Sequence, residues 1–287
     1  MEARLSFEGK GGSLFGRFVG GGLLTLCTLG LFLPWFIVWM ARWTLENTRL
    51  STPSGEVRFA FTGSGARLLG LMLVNALLTV LTLGIYTPWA IVEAIRYATD
   101  GAEARGADTR PIRLRFDGTG GEAFPILLKG FLLSIVTLGI YLPWFACEMV
   151  RWTGAHTRVE RDGAPTGTVA FDGAGGELLV MVVIGYLLSA VTFGIYAPWF
   201  QVSEWRYFTG HSKATVNGIT WTGDFQGSGW DLAVHLLVGI VLSLLTLGIY
   251  VPWFVARVAR FRIGNTRFLS PEAVAARPAF TPPFPGA

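Results

Sequence analysis

Long uncharged runs recur along the chain. Residues 18–41, 68–92, 178–203 and 232–256 contain no Asp, Glu, Lys or Arg, and 130–147 is a shorter run of the same kind. Between them lie short stretches where apolar and polar residues alternate, such as Val57-Arg58-Phe59-Ala60-Phe61 and Ile112-Arg113-Leu114-Arg115-Phe116. Period-two alternation predicts a strand. An apolar run of about 18 residues or more predicts a membrane-spanning helix.

The pattern is a tandem repeat, the first thing to seek in a chain of this kind. Pro-Trp stands at 34–35, 88–89, 143–144, 198–199 and 252–253. An upstream Phe (Phe7, Phe61, Phe116, Phe171, Phe225) and a downstream Arg (Arg42, Arg96, Arg151, Arg206, Arg260) keep the same steps. Each unit reads as a strand, a glycine turn, a first apolar helix ending near Thr-Leu-Gly-Ile-Tyr, and a second helix ending at a polar group such as Asn47-Thr48-Arg49. Gly30, Gly84, Gly139, Gly194 and Gly248 suit helix C-caps. Pro34, Pro88, Pro143, Pro198 and Pro252 suit the start of the second helix.

The expected fold is an all-α polytopic membrane protein. Five helical-hairpin repeats (1–50, 51–110, 111–160, 161–213 and 214–267) supply about ten transmembrane helices in a pseudo-fivefold ring, with short cytoplasmic β-hairpins between repeats. Two crossings per unit place every Thr-Leu-Gly-Ile-Tyr turn on one side. Arg49, Arg58, Arg67, Arg105, Arg110, Arg113, Arg115, Arg158, Arg161 and Lys213 stand between the units, so the strands and both termini are expected to be cytoplasmic. Trp35, Trp89, Trp144, Trp199 and Trp253 are expected as a belt at the opposite interface. The second helix, at about 15 residues, is roughly 23 Å long and short for a span. Residues 268–287 carry five prolines and read as a disordered tail.

Composition agrees with this reading. Charged residues make up 15% of the chain, against about 25% in soluble domains. The net charge of +4 is read as topology-setting residues beside spans, not as a nucleic-acid surface. Cys27 and Cys147 sit in apolar segments and lack metal-ligand spacing. His156 and His211 replace Asn47 and Asn265 at helix ends and read as caps. The glycine turns lack the Gly-Lys-Ser/Thr of a phosphate loop. No repeated constellation supplies a catalytic, cofactor or metal site.

The repeated arginines are the candidate site. They fall about 12 Å into the second helix, where a charge facing lipid is costly. Glu93 and Glu148 precede Arg96 and Arg151 by three residues, and Glu46 follows Arg42 by four, so these pairs share a helix face. Glu204 stands two before Arg206. The last unit has Arg257 and Arg260 with no acid. These residues are read as a ring lining an axis, or as structural ion pairs and arginines reaching the headgroups.

The string Phe-x-Gly-x-Gly-Gly-Glu, Thr-Leu-Gly-Ile-Tyr-x-Pro-Trp, Arg-Tyr/Trp and Asn-Thr-Arg resembles the YjgN-like family of bacterial inner-membrane proteins (domain of unknown function 898) over residues 5–268. The resemblance implies a bacterial inner membrane and no assigned activity. Family members tend to carry Lys or Arg three residues after the Pro, where this chain has Ile37, Ile91, Ala146, Gln201 and Val255. The expected function is a non-enzymatic, pore-like or transport-related assembly for a solute or lipid, or a scaffold for another envelope protein. Its expected partners are membrane lipids and another membrane protein, with no nucleic acid.

Overall fold

The computed structural model describes residues 1–53, 55–106 and 110–276. The first unit runs β1 (Glu2–Phe7), α1 (Gly11–Cys27), α2 (Leu33–Glu46) and β2 (Thr48–Thr52). The second is β3 (Gly55–Phe61), α3 (Gly65–Leu81), α4 (Thr87–Asp100) and β4 (Ala102–Arg105); the third is β5 (Ile112–Phe116), α5 (Gly120–Val136), α6 (Leu142–Ala155) and β6 (Thr157–Arg161). The fourth is β7 (Ala164–Phe171), α7 (Gly175–Val191), α8 (Ala197–Gly210) and β8 (Ser212–Val216); the fifth is β9 (Ile219–Phe225), α9 (Gly229–Leu245), α10 (Val251–Gly264) and β10 (Thr266–Leu269). A short helix, α11 (Pro271–Ala275), follows and packs on β9 and β10. Residues 277–287 of the Pro-rich tail lie outside the described residues.

The strands do not stand as separate hairpins. All ten join edge to edge, each antiparallel to the next, and β1 pairs with β10 to close a barrel. The helices also close a ring, each packing on the next in sequence and α10 packing on α1. The all-α expectation is therefore wrong: the molecule is a closed ten-stranded barrel carrying five helical hairpins. The expectation of transmembrane helices fails as well. First helices have 17 residues and second helices 14, about 26 and 21 Å, against a hydrocarbon core of about 30 Å. No helix among the described residues is long and apolar enough to cross a membrane, and the multi-pass topology is not supported. The uncharged run 18–41 holds the end of α1, a sharp turn and the start of α2, so its length overstates either helix.

Ladder partners share a face, so the register sorts the strand residues onto two faces. One carries Arg4, Arg49, Arg58, Arg105, Arg113, Arg115, Arg158, Lys213 and Arg267 with Glu2, Glu56, Glu103, Glu160 and Asp224. The other carries Leu5, Leu50, Val57, Phe59, Leu114, Val159, Trp221 and the five repeated phenylalanines, with Arg161 and, opposite phenylalanines, Thr48, Thr157, Ser212 and Thr266. The side chains of Arg4, Arg58, Arg105, Arg113 and Arg115 are 60–71% exposed. A crowded lumen cannot leave five arginines that open, so the charged face is the outside and the apolar face is the inside.

Each strand-end phenylalanine anchors a core between units. Phe7 packs with Leu14, with Trp43 of its own second helix, and with Ala256 of the preceding unit. Phe116 does the same with Ala123, Trp152 and Val92, and Phe225 with Leu232, Phe261 and Val202. The hydrophobic core is thus a set of joints around the ring.

Candidate functional site

Every joint uses the repeated arginine in one way. Arg42 donates to the Phe61 and Gly63 carbonyls at 3.3 and 3.2 Å, and Arg96 to the Gly118 carbonyl at 3.0 Å. Arg151 reaches the Gly173 carbonyl at 2.8 Å. Arg206 reaches the Phe225 and Gly227 carbonyls at 3.4 and 3.1 Å. Arg260 closes the circle by donating to the Gly9 carbonyl at 2.8 Å. In each case the acceptor is the Phe-x-Gly turn of the next unit around the ring.

The predicted acids play a smaller part. Glu93 pairs with Arg96 at 2.7 Å. Glu148 pairs with Lys129 at 2.6 Å, Glu204 accepts from Gln201 at 3.1 Å, and Glu46 is exposed. Arg257 donates to the Tyr250 hydroxyl at 2.8 Å. Sequence reasoning missed the carbonyl acceptors, but a signal for them exists. The arginine and the Phe-x-Gly turn keep strict phase while the acids drift in position, and a backbone acceptor is the partner that tolerates such drift.

The belt tryptophans also serve the joints. A Cβ added at Gly65, Gly120, Gly175, Gly229 or Gly11 would lie 2.3–2.5 Å from the indole of Trp35, Trp89, Trp144, Trp199 or Trp253 respectively. Each tryptophan therefore lies flush on the first turn of the next unit's helix, where only glycine fits. Asn47 and Asn265 donate to the Trp43 and Phe261 carbonyls, and the His156 and His211 Nδ1 atoms lie 2.9 Å from the equivalent Trp152 and Tyr207 carbonyls. These are the helix-end contacts their positions predict.

The hairpin tips are the second feature. Leu29, Leu83, Leu138, Phe193 and Leu247 sit at φ of 49–51° and are 93–97% exposed. A left-handed backbone at a non-glycine residue is unfavourable, and here it recurs in all five tips. Every backbone N–H through the first tip is bonded within it. Those of Thr28, Leu29, Gly30, Leu31 and Leu33 donate to carbonyls of residues 24–30, and that of Phe32 donates to the Thr28 hydroxyl. The other four tips repeat the pattern, with Thr82, Thr137, Thr192 and Thr246 accepting from Tyr86, Tyr141, Tyr196 and Tyr250. Exposed apolar side chains continue down the first helices, as at Leu26, Val80, Val136, Val191 and Leu245. Exposed apolar residues clustered in this way, at every tip and down every first helix, mark a surface that meets a membrane or a partner.

The fold therefore defines a class: a charged β-barrel bearing a ring of helical hairpins with apolar, self-bonded tips. The chain belongs to the family described as bacterial protein of unknown function (DUF898), which it matches over residues 56–103, 111–164, 166–224 and 220–273. It is 25% identical over 240 residues to inner membrane protein YjgN of Salmonella typhimurium, covering 71% of this chain and 60% of that protein. It is 41% identical over 94 residues to inner membrane protein YjgN of Escherichia coli K12, covering 32% of this chain and 22% of the relative. The chain thus spans less than two thirds of the length of these relatives. No solved structure matches it.

Proposed function

We propose that this chain is a non-enzymatic, membrane-seated ring of the bacterial inner membrane. Its hairpins dip into one leaflet without crossing, and its barrel and both termini stay on the cytoplasmic side. The tips carry this reading. A polar backbone group left unbonded in hydrocarbon costs several kcal/mol, and these tips leave no N–H unbonded while presenting Leu or Phe fully outward. Water would satisfy such groups without that arrangement. The names of the relatives support the membrane, and the arginine-rich outer face of the barrel supports the cytoplasmic side. The apolar inner face favours a lipid or other apolar solute over an ion as what the ring handles. Another reading, a scaffold for an envelope protein, follows if the interior holds nothing.

Cys27 is exposed beside the first tip and Cys147 is buried, so the protein carries its own probe. In membrane vesicles of a Cys147→Ser variant, a polar maleimide should fail to label Cys27 from either side and should label it after denaturation. A cysteine at Glu56 should be labelled from the cytoplasmic side alone. Labelling of Cys27 from the far side would mean the hairpins cross, and labelling from the barrel side would mean they are not inserted. Lipid retained by the purified protein, with no ion flux in liposomes, is the expected outcome for the interior. An empty ring would favour the scaffold.

A further inference from the structure

The outer face of the barrel is uneven. Across β7 to β9 it carries Thr168, Ala170, Thr215, Thr220 and Thr222, with Lys213 matched by Asp172. Across β2 to β5 it is dominated by arginine. Arg49, Arg58 and Arg105 stand directly opposite one another on three successive strands, which lie about 4.8 Å apart. Like charges facing across a ladder destabilise it. Of the carboxylates that offset them, Glu103 is 5% exposed beneath Arg105 and Arg113, Glu56 is 43% exposed and shared between Arg49 and Arg58, and Glu8 pairs with Arg49 at 2.8 Å. Arg58, Arg105, Arg113 and Arg115, at 60–70% exposure, stand out beyond the strand carboxylates. Arg49 Nε is also buried without a hydrogen-bond partner among the described residues. Between Arg58 and Arg105 lies a hollow of about 450 Å³, lined also by Glu56, Phe59, Ala60 and Gly106.

We infer that the hollow between Arg58 and Arg105 is a binding site for a phosphate group. The paired forks suit the bidentate geometry of phosphate, and a bound anion relieves the facing charges. Arg58 lies three residues before the helix end of β3, about 10 Å along the strand, so its long side chain can meet a headgroup at the leaflet surface. The lipid source of the phosphate rests on the membrane-seated reading; the site itself does not. It is distinct from the apolar interior.

The test uses the whole chain in a mild nonionic detergent at fixed ionic strength, with thermal unfolding read by tryptophan fluorescence. Three probes are added separately: a short-chain phosphoglycerol lipid, a short-chain phosphocholine lipid, and inorganic phosphate. The phosphoglycerol lipid should raise Tm by mass action, and the phosphocholine lipid should not. In the Arg58→Gln/Arg105→Gln variant, half-maximal stabilisation should need at least about tenfold more lipid, the loss expected for one charge-assisted bond. Arg105→Gln alone serves if the double variant folds poorly, and Lys213→Gln is the control that should respond as the parent does. An equal response to inorganic phosphate would keep the site and make free phosphate its ligand. No shift with any probe, or a shift unchanged in the variants, would overturn it. Cys27 labelling reports membrane seating independently, so the failure of either idea can be told from the failure of the other.

Discussion

Arg42→Met removes one of the five arginine ties. The side chain is half-buried and bridges the Phe61 and Gly63 carbonyls. Bonds from charged groups contribute about 1.5–3 kcal/mol each. At 3.3 and 3.2 Å both are long, and part of the loss is recovered by water reaching the carbonyls. A total loss of about 2–3 kcal/mol is expected by this reckoning. At about 2–4 °C per kcal/mol for a chain of this size, Tm should fall by about 5–10 °C. Arg42→Lys keeps the charge, but one ammonium cannot fork to both carbonyls, so it should fall between parent and Met variant. Glu46→Gln should change little, since Glu46 is exposed and exposed pairs contribute about 0–1 kcal/mol. The measurement is unfolding in detergent followed by tryptophan fluorescence and near-UV dichroism. The reasoning fails if Arg42→Met stays within about 0.5 kcal/mol of the parent, or if Glu46→Gln loses as much, which would make the arginine an ion-pair partner after all.

Three further outcomes follow from the same geometry. In a double-mutant cycle Glu148 should couple to Lys129 by about 0.5–1 kcal/mol and not to Arg151; coupling to Arg151 alone would contradict the 2.6 Å pair. Gly130→Ala should destabilise by about 1–3 kcal/mol, because its Cβ would lie 2.1 Å from the Phe145 ring. Gly70→Ala, which meets nothing within 4 Å, should stabilise α3 by about 0.5–1 kcal/mol, and unfolding midpoints of the two variants decide the matter. Arg49 and Arg58 beside Glu56 hold its carboxyl below its usual range. A depressed carboxylate contributes stability that is present above its unfolded pKa and lost as pH falls through the folded one. The parent should therefore lose more stability than Glu56→Gln as pH falls from the ordinary carboxylate value of about 4.3 to about 3, with little difference between the two above that window; identical pH profiles would contradict this.

Much of the unit was legible in the sequence, and the closure was not. The three in-phase markers gave the number of repeats and the order strand, turn, helix, helix. The second helices start as Pro34 and its equivalents predict. The strands were visible as local alternation, but at four to eight residues each they looked like isolated hairpins. Nothing local in Arg4 or Arg267 marks them as ladder partners. The helix ends were misread at the tips. Gly30 was expected to cap alone, whereas Leu29 and Gly30 both take left-handed φ, and the uncharged turn merged two helices into one apparent span. For the arginines, the rule of three- and four-residue spacing pointed to acids on the same helix. The main acceptors are carbonyls about twenty residues on, and a carbonyl leaves no trace in side-chain identity.

The closing seam sets an order of events during synthesis. β1 is made first, yet its second neighbour, β10, emerges only after the other four units, and the amino terminus finally donates to the Ser270 hydroxyl. Until then the growing chain has an unpaired strand edge, a Gly9 carbonyl without its arginine, and a Leu14 core lacking Ala256. An open edge is a template for pairing with another chain, and contacts this far apart in sequence form slowly. The fifth unit therefore works as a latch. A chain lacking it is expected to seek that missing neighbour in a second copy, whereas a chain whose ends are joined and whose new ends are cut at the exposed Asp162-Gly163 turn should close as the parent does.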